Sequence, residues 1–220
     1  MKVNITPEYS AQRRLHPQNP FMPIAFSFLE RFLGSSNFGN VCDLGCGKLR
    51  HLSELQKRAT ALTLVDTEFQ LSRPQREGDN IGTIRDFILE LQKRGRQQIT
   101  LLNSKEFSKA ALNLDVIFLV NVTDVVPART HLSIIRSAVQ NLKLGGLIVI
   151  IFPRNDTSIM KRFTTANKFQ DGHYFTHGKV TTFIRNITNL DPLTKQLKST
   201  GLKLLHEHVR FRQVMIVMQK

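Results

Sequence analysis

Val41-Cys42-Asp43-Leu44-Gly45-Cys46-Gly47-Lys48 reads as a buried strand running into a glycine loop. After a short helix it is followed by Ala61-Leu62-Thr63-Leu64-Val65-Asp66, a second apolar strand that ends on a carboxylate. Gly45 and Gly47 carry no Cβ, so a ligand can approach the backbone there, and the following helix is expected to direct free N–H groups at it. Asp66 stands about twenty residues further on, the spacing at which an acidic side chain accepts hydrogen bonds from ribose hydroxyls. The two features locate one site, and that site suits a nucleoside.

The ligand is narrowed by what the loop lacks. A dinucleotide loop has a third glycine three residues after the second, so that the helix packs close to the strand. Arg50 occupies that position, which argues against NAD and FAD. No Gly-Lys-Ser/Thr ending follows a four-residue spacer, so a Walker loop fails too. Asp43-Leu44-Gly45-Cys46-Gly47 instead resembles the first motif of class I S-adenosylmethionine (SAM) methyltransferases: an acidic residue, any residue, Gly, any residue, Gly. Asp66 matches that family's acidic residue at the end of the second strand. Asp115-Val116-Ile117-Phe118-Leu119-Val120-Asn121-Val122 is similar to its fourth strand, and Leu142-Lys143-Leu144-Gly145-Gly146-Leu147-Ile148-Val149-Ile150-Ile151 to its turn into the fifth. These matches keep their order over residues 22 to 152.

The resemblance implies an α/β fold, a three-layer sandwich around a mostly parallel seven-stranded sheet with an antiparallel C-terminal hairpin. It also implies SAM as cofactor and methyl transfer by in-line displacement, in which positioning alone can supply about 7–11 kcal/mol. Carried over position by position, Asp43, Gly45, Cys46 and Gly47 belong to the methionine portion of the cofactor and Asp66 to its ribose. Asn103 or Ser104 belongs beside the adenine, and Asn121 between cofactor and acceptor. Asp124 and His131 follow the fourth strand and are candidates, with Asn121, for base or acceptor-orienting groups. The competing reading has Asp124 capping the next helix and His131 at the surface. Cys42 and Cys46 are too few for a structural zinc site, so no metal is expected. No cysteine nucleophile follows the fourth or fifth strand, and the Asp/Asn-Pro-Pro-Tyr/Phe signature of exocyclic amine methyltransferases is absent.

A chain of 220 residues, 41% of them apolar, suits one domain with a substantial core. The expected division is an arm over residues 1–20, broken by Pro7, Pro17 and Pro20, and a single domain over 21–220. No run approaches the roughly 18 apolar residues of a membrane span, the first residues lack the pattern of a secretory signal, and two cysteines suggest no oxidised scaffold. A reducing cytoplasm is the expected location. The net charge of +14 is uneven: residues 161 to 220 hold 11 basic and 3 acidic side chains. Lys161, Arg162, Lys168, Lys179, Arg185, Lys195, Lys198, Lys203, Arg210 and Arg212 suggest a field that attracts a polyanion. RNA is therefore placed ahead of a small molecule as acceptor, with merely solvated basic faces as the alternative.

Helical spacing over Phe21 to Leu33 predicts a helix with Met22, Ala25, Phe26, Leu29 and Leu33 inward. Asp79-Asn80 is expected to cap a second helix through Ile84, Phe87, Ile88 and Leu91, and Asp191-Pro192 to open another. Leu202–Val209 and Gln213–Met218 read as an edge hairpin. Residues 154 to 186 show no clear period. Within them His173, Tyr174, Phe175 and His177 suggest an acceptor-binding lid, and Arg13, Arg14 and His16 of the arm are placed over the same site. A different class of function also fits the sequence: a noncatalytic nucleic-acid- or partner-binding protein that keeps the fold.

Overall fold

The computed structural model describes residues 21–77, 80–93, 98–154, 167–177, 180–210 and 213–220. Arg13, Arg14 and His16 lie outside them. Helix α1 (Met22–Leu33) buries Met22, Ala25, Phe26 and Leu29, has a proline in its first turn, and ends at Gly34 with φ +66°. Leu33 is exposed, contrary to its spacing. Strand β1 (Asn40–Leu44) leads through the glycine loop to the short α2 (Leu52–Gln56), then β2 (Ala61–Asp66) and α3 (Glu68–Ser72). A two-stranded hairpin, β3 (Gln75–Glu77) and β4 (Asn80–Gly82), precedes α4 (Ile84–Lys93). Asp79 lies outside the described residues and Asn80 pairs in β4; the start of α4 is held by Thr83 and Asp86. The Asp86 N–H donates to Thr83 Oγ1 and the Thr83 N–H to Asp86 Oδ2, a reciprocal cap.

The chain continues through β5 (Ile99–Asn103), α5 (Ser104–Phe107), β6 (Leu114–Val120), α6 (Ala128–Asn141) and β7 (Leu142–Pro153). The Leu144-Gly145-Gly146 turn forms an irregularity inside β7, where Leu144 is exposed and the register to β6 shifts. Three short strands follow, β8 (Asn167–Phe169), β9 (Gly172–His177) and β10 (Val180–Arg185), then α7 (Asp191–Lys198), β11 (Lys203–Arg210) and β12 (Gln213–Gln219). The cap residue of α7 is Leu190 rather than Asp191, which sits in the first turn.

Seven strands form one sheet in the order β11-β12-β7-β6-β1-β2-β5. The pairs among β5, β2, β1, β6 and β7 are parallel, and β12 runs antiparallel to both its neighbours. Alternate residues of β6 feed two cores: Val116, Phe118 and Val120 pack with the apolar sides of α1, α2 and α4, and Ile117 and Leu119 with those of α6 and α7. This is the three-layer sandwich the sequence implies. Full burial of a ring such as Phe118 contributes about 1.5–3 kcal/mol. From β1 the chain moves one way to β2 and β5 and returns to β6 on the other side, so the switch point lies between β1 and β6, at their carboxyl ends. No helix among the described residues is long and apolar enough to cross a membrane.

Candidate active site

The loop after β1 is held by the end of β2. The N–H groups of Gly45 and Cys46 both donate to Val65 O, at 2.8 and 3.0 Å, and the Gly47 N–H donates to Asp66 Oδ2 at 2.8 Å. The other carboxylate oxygen of Asp66 accepts the Thr67 N–H at 2.7 Å. The amides of this loop are thus engaged within the protein, and α2 begins only at Leu52, so the expectation of free N–H groups aimed at a ligand is corrected. Left-handed backbone at Gly45 (φ +90°) and Gly47 (φ +55°) makes the bend. A Cβ on Gly45 would collide with Val122, from the loop after β6, whereas a Cβ on Gly47 would meet nothing closer than Gly45 O at 3.8 Å. The first glycine therefore joins two loops, and the second faces open space.

Two carboxylates lie under this bend. Asp43 is 1% exposed, and its Oδ2 has no hydrogen-bond partner among the described residues. Burial, with the neighbouring Asp66, raises its pKa to about 7. Burial raises Asp66 as well, to about 6, against the pull of the Gly47 and Thr67 N–H groups and Arg73. Sequence reasoning missed two residues here. Gln70 is buried and its Nε2 donates to Gly47 O at 3.0 Å, so α3 buttresses the glycine loop. Its signal was Thr67-Glu68-Phe69-Gln70, a capping pattern borne out by the Gln70 N–H donating to Thr67 Oγ1. His51, just before α2, is buried, and burial and Arg50 lower its pKa to about 4, which keeps it neutral.

Asn103 pairs in register with Asp66, but its side chain caps α5, accepting from the Lys105 and Glu106 N–H groups at 3.0 Å each, and donates to Glu68 Oε2. Ser104 is the exposed first residue of that helix. Asn121, at the end of β6, is exposed with φ +58°, and its N–H donates to Ile151 O. Asn adopts this left-handed backbone at less cost than other non-glycine residues, and such positions also occur at functional sites.

His131 is not a surface residue. It is fully buried, hydrogen-bonded through Nε2 to Thr123 Oγ1 at 3.2 Å, and kept neutral by burial and Arg185, which lower its pKa to about 3. Nor does Asp124 cap α6. It is buried, and the first amide of that helix, Ala128 N–H, instead donates to Asp171. His173, Tyr174, Phe175 and His177 do not form a loop. They lie in β9, the middle strand of the sheet β10-β9-β8, opposite Ile184, Phe183, Thr182 and Val180.

The structure thus brings Asp43, Gly45, Cys46, Gly47 and Asp66 together, with Val122 against Gly45, at the switch point of a seven-stranded sheet. A family profile described as "Methyltransferase domain" matches residues 18–207. The chain belongs to the methyltransferase domain family. Its fold is that of class I SAM-dependent methyltransferases, which is also seen in similar solved structures. One is the 1,6-didemethyltoxoflavin-N1-methyltransferase of Burkholderia thailandensis, with bound 1,6-didemethyltoxoflavin and S-adenosylhomocysteine (TM-score 0.61, 14% identity, 92% of this chain and 79% of that one). Another is the magnesium protoporphyrin IX methyltransferase of Synechocystis PCC 6803, with bound S-adenosylhomocysteine (TM-score 0.59, 13% identity, 90% and 81%). Among curated proteins, this methyltransferase domain is 26% identical over 167 residues to the uncharacterized protein YmfD of Escherichia coli (strain K12), covering 76% of this chain and 73% of that one.

Proposed function

We propose that this methyltransferase domain binds SAM across the carboxyl ends of β1 and β2 and moves its methyl group by in-line displacement to a small-molecule acceptor beside the loop after β6. One observation carries the reading: the Gly47 N–H meets the Asp66 carboxylate at 2.8 Å, next to a buried Asp43 oxygen without a partner among the described residues. The residues fit the cofactor. Gly47 leaves open the space that a Cβ would enter. Each Asp66 oxygen accepts one backbone N–H and keeps acceptor capacity for a ribose hydroxyl. The buried Asp43 oxygen suits an ammonium group or a water that bridges to one.

When bound, the sulfonium supplies a methyl group on a good leaving group, and the protein's part is to hold the acceptor in line with it. Asp43, Gly45, Cys46 and Gly47 take the methionine portion and Asp66 the ribose, with Asn103 and Ser104 bordering the adenine. Asn121, exposed at the start of the loop after β6, orients the acceptor. His131 supports that loop through Thr123 and takes no proton, since it is buried away from the open space. Asp124 holds the adjoining chain, its carbonyl accepting the Arg185 N–H.

The preference for RNA turns to a small molecule on two grounds. The similar enzymes are named for a didemethyltoxoflavin and a porphyrin. Arg185, counted toward the polyanion field, is buried and ion-paired with Asp171. Incubation with methyl-labelled SAM and separate pools of RNA, DNA, protein and small metabolites tests this. Label is expected in the metabolite pool, with turnover nearly indifferent to salt between about 50 and 200 mM. Label in RNA with a steep salt dependence would overturn the acceptor class. No label in any pool, with no S-adenosylhomocysteine binding, would overturn the enzymatic reading and favour a binding-only protein.

A further inference from the structure

The three-stranded sheet β8–β10 is fastened to the loop after β6 and to the start of α6 by one polar cluster. Asp171, in the turn between β8 and β9, accepts the Arg185 Nε–H on Oδ2 at 2.5 Å and the first amide of α6, Ala128 N–H, on Oδ1 at 3.2 Å. Its carbonyl accepts the Asn186 N–H at 3.0 Å. Arg185, the last residue of β10, donates its backbone N–H to Asp124 O at 2.8 Å, in the loop that begins at Asn121. Gln196 Nε2 of α7 donates to Ala128 O at 3.0 Å and closes the cluster from the other side. Around it Phe183, Ile184 and Ile187 are buried, and Gly172 is so closely covered by Ile184 O and the Phe183 ring that no Cβ fits.

We infer that Asp171 and Arg185 are positioning residues: their ion pair, acting through Asp124 and the first turn of α6, sets the small sheet as the wall of the acceptor space. This rests on the reading of the β6 loop as the acceptor side. Arg185 is nearly buried and Asp171 a third exposed, so replacing either one breaks a contact partly shielded from water and loosens the small sheet from the loop after β6 and from α6. The effect is local, because the five parallel strands draw none of their register from β8–β10. The wall therefore detaches while the cofactor side stays whole.

Amide hydrogen exchange by mass spectrometry, with calorimetric titration of S-adenosylhomocysteine, tests this on the full chain and on Arg185→Gln, Asp171→Asn and Arg185→Lys. In Arg185→Gln and Asp171→Asn, exchange over 168–177 and 180–187 is expected to rise about tenfold or more, with β1, β2 and β6 unchanged. Cofactor-product affinity should stay within about twofold of the parent, and Arg185→Lys should recover most of the protection. Unchanged exchange in the small sheet, or acceleration spread over the central strands, would overturn the inference. If S-adenosylhomocysteine fails to bind the parent protein while the local effect persists, the docking stands and the functional reading falls instead.

Discussion

Gly45 and Gly47 share a left-handed backbone but have different neighbours, and this separates folding from binding. Gly45→Ala adds a Cβ against Val122 at φ +90°, so it should lower stability by about 2 kcal/mol or more and disturb both loops, as read by thermal melting. Gly47→Ala meets open space, so its cost should be near the backbone penalty of about 1 kcal/mol. Its methyl group enters the proposed cofactor space, and S-adenosylhomocysteine affinity should fall by about tenfold or more in a titration. The carboxylates give a pH signature. Asp43 titrates near 7 in the fold against 3.8 in the unfolded chain, so between those values the folded state holds the extra proton and stability falls as pH rises. Asp43→Asn should therefore gain stability relative to the parent across that window, with a difference that levels off above about pH 7. An unchanged difference from pH 4 to 8 would contradict burial of this acid. That Asp43, the glycine bend and Asp66 meet at one place was legible, because a Gly-x-Gly turn after one apolar strand and a carboxylate closing the next are patterns tied to a specific backbone geometry. The burial of His131 was not, since its partner Thr123 comes from a loop that carries no periodic signal.

Polar side chains inside elements fix how the layers meet. Asn141, buried in the last turn of α6, accepts the Leu112 N–H through Oδ1 and donates through Nδ2 to Phe107 O and Ser137 O. Asn141→Leu would leave buried backbone groups without partners and should cost about 2–4 kcal/mol in a denaturant titration, with little change in cofactor affinity. Thr83→Ala removes one half of the cap of α4 and should cost about 1 kcal/mol by the same measurement. That cap was available to sequence reasoning as Thr83-Ile84-Arg85-Asp86, but Asp79-Asn80 offered a competing start, and only the pairing of Asn80 with Glu77 in β3–β4 decides between them. The central strands were readable because strands buried on both faces leave long apolar runs. Strands β8–β10 were not, being three to six residues long and dependent on Asp171 and Arg185 meeting across the chain.

The parallel pairing of β1 with β2 and β6 brings the carboxyl ends of these strands to one edge of the sheet, where the proposed cofactor site lies. Among the described residues the basic side chains after position 160 include Lys168 on β8, Lys195 and Lys198 on α7, Lys203 and Arg210 on β11, while Arg185 pairs with Asp171; Lys161, Arg162, Lys179 and Arg212 lie outside the described residues. Net charge governs encounter and solubility more than it identifies a substrate. Whether an adenosyl ligand sits between the glycine bend and Asp66 is tested most directly by calorimetric titration of S-adenosylhomocysteine into the parent protein and Asp66→Ala. A saturable heat at about micromolar ligand in the parent, weakened by about tenfold or more in the variant, is the expected result. Absence of heat up to about millimolar ligand, or equal binding by the two proteins, would contradict it.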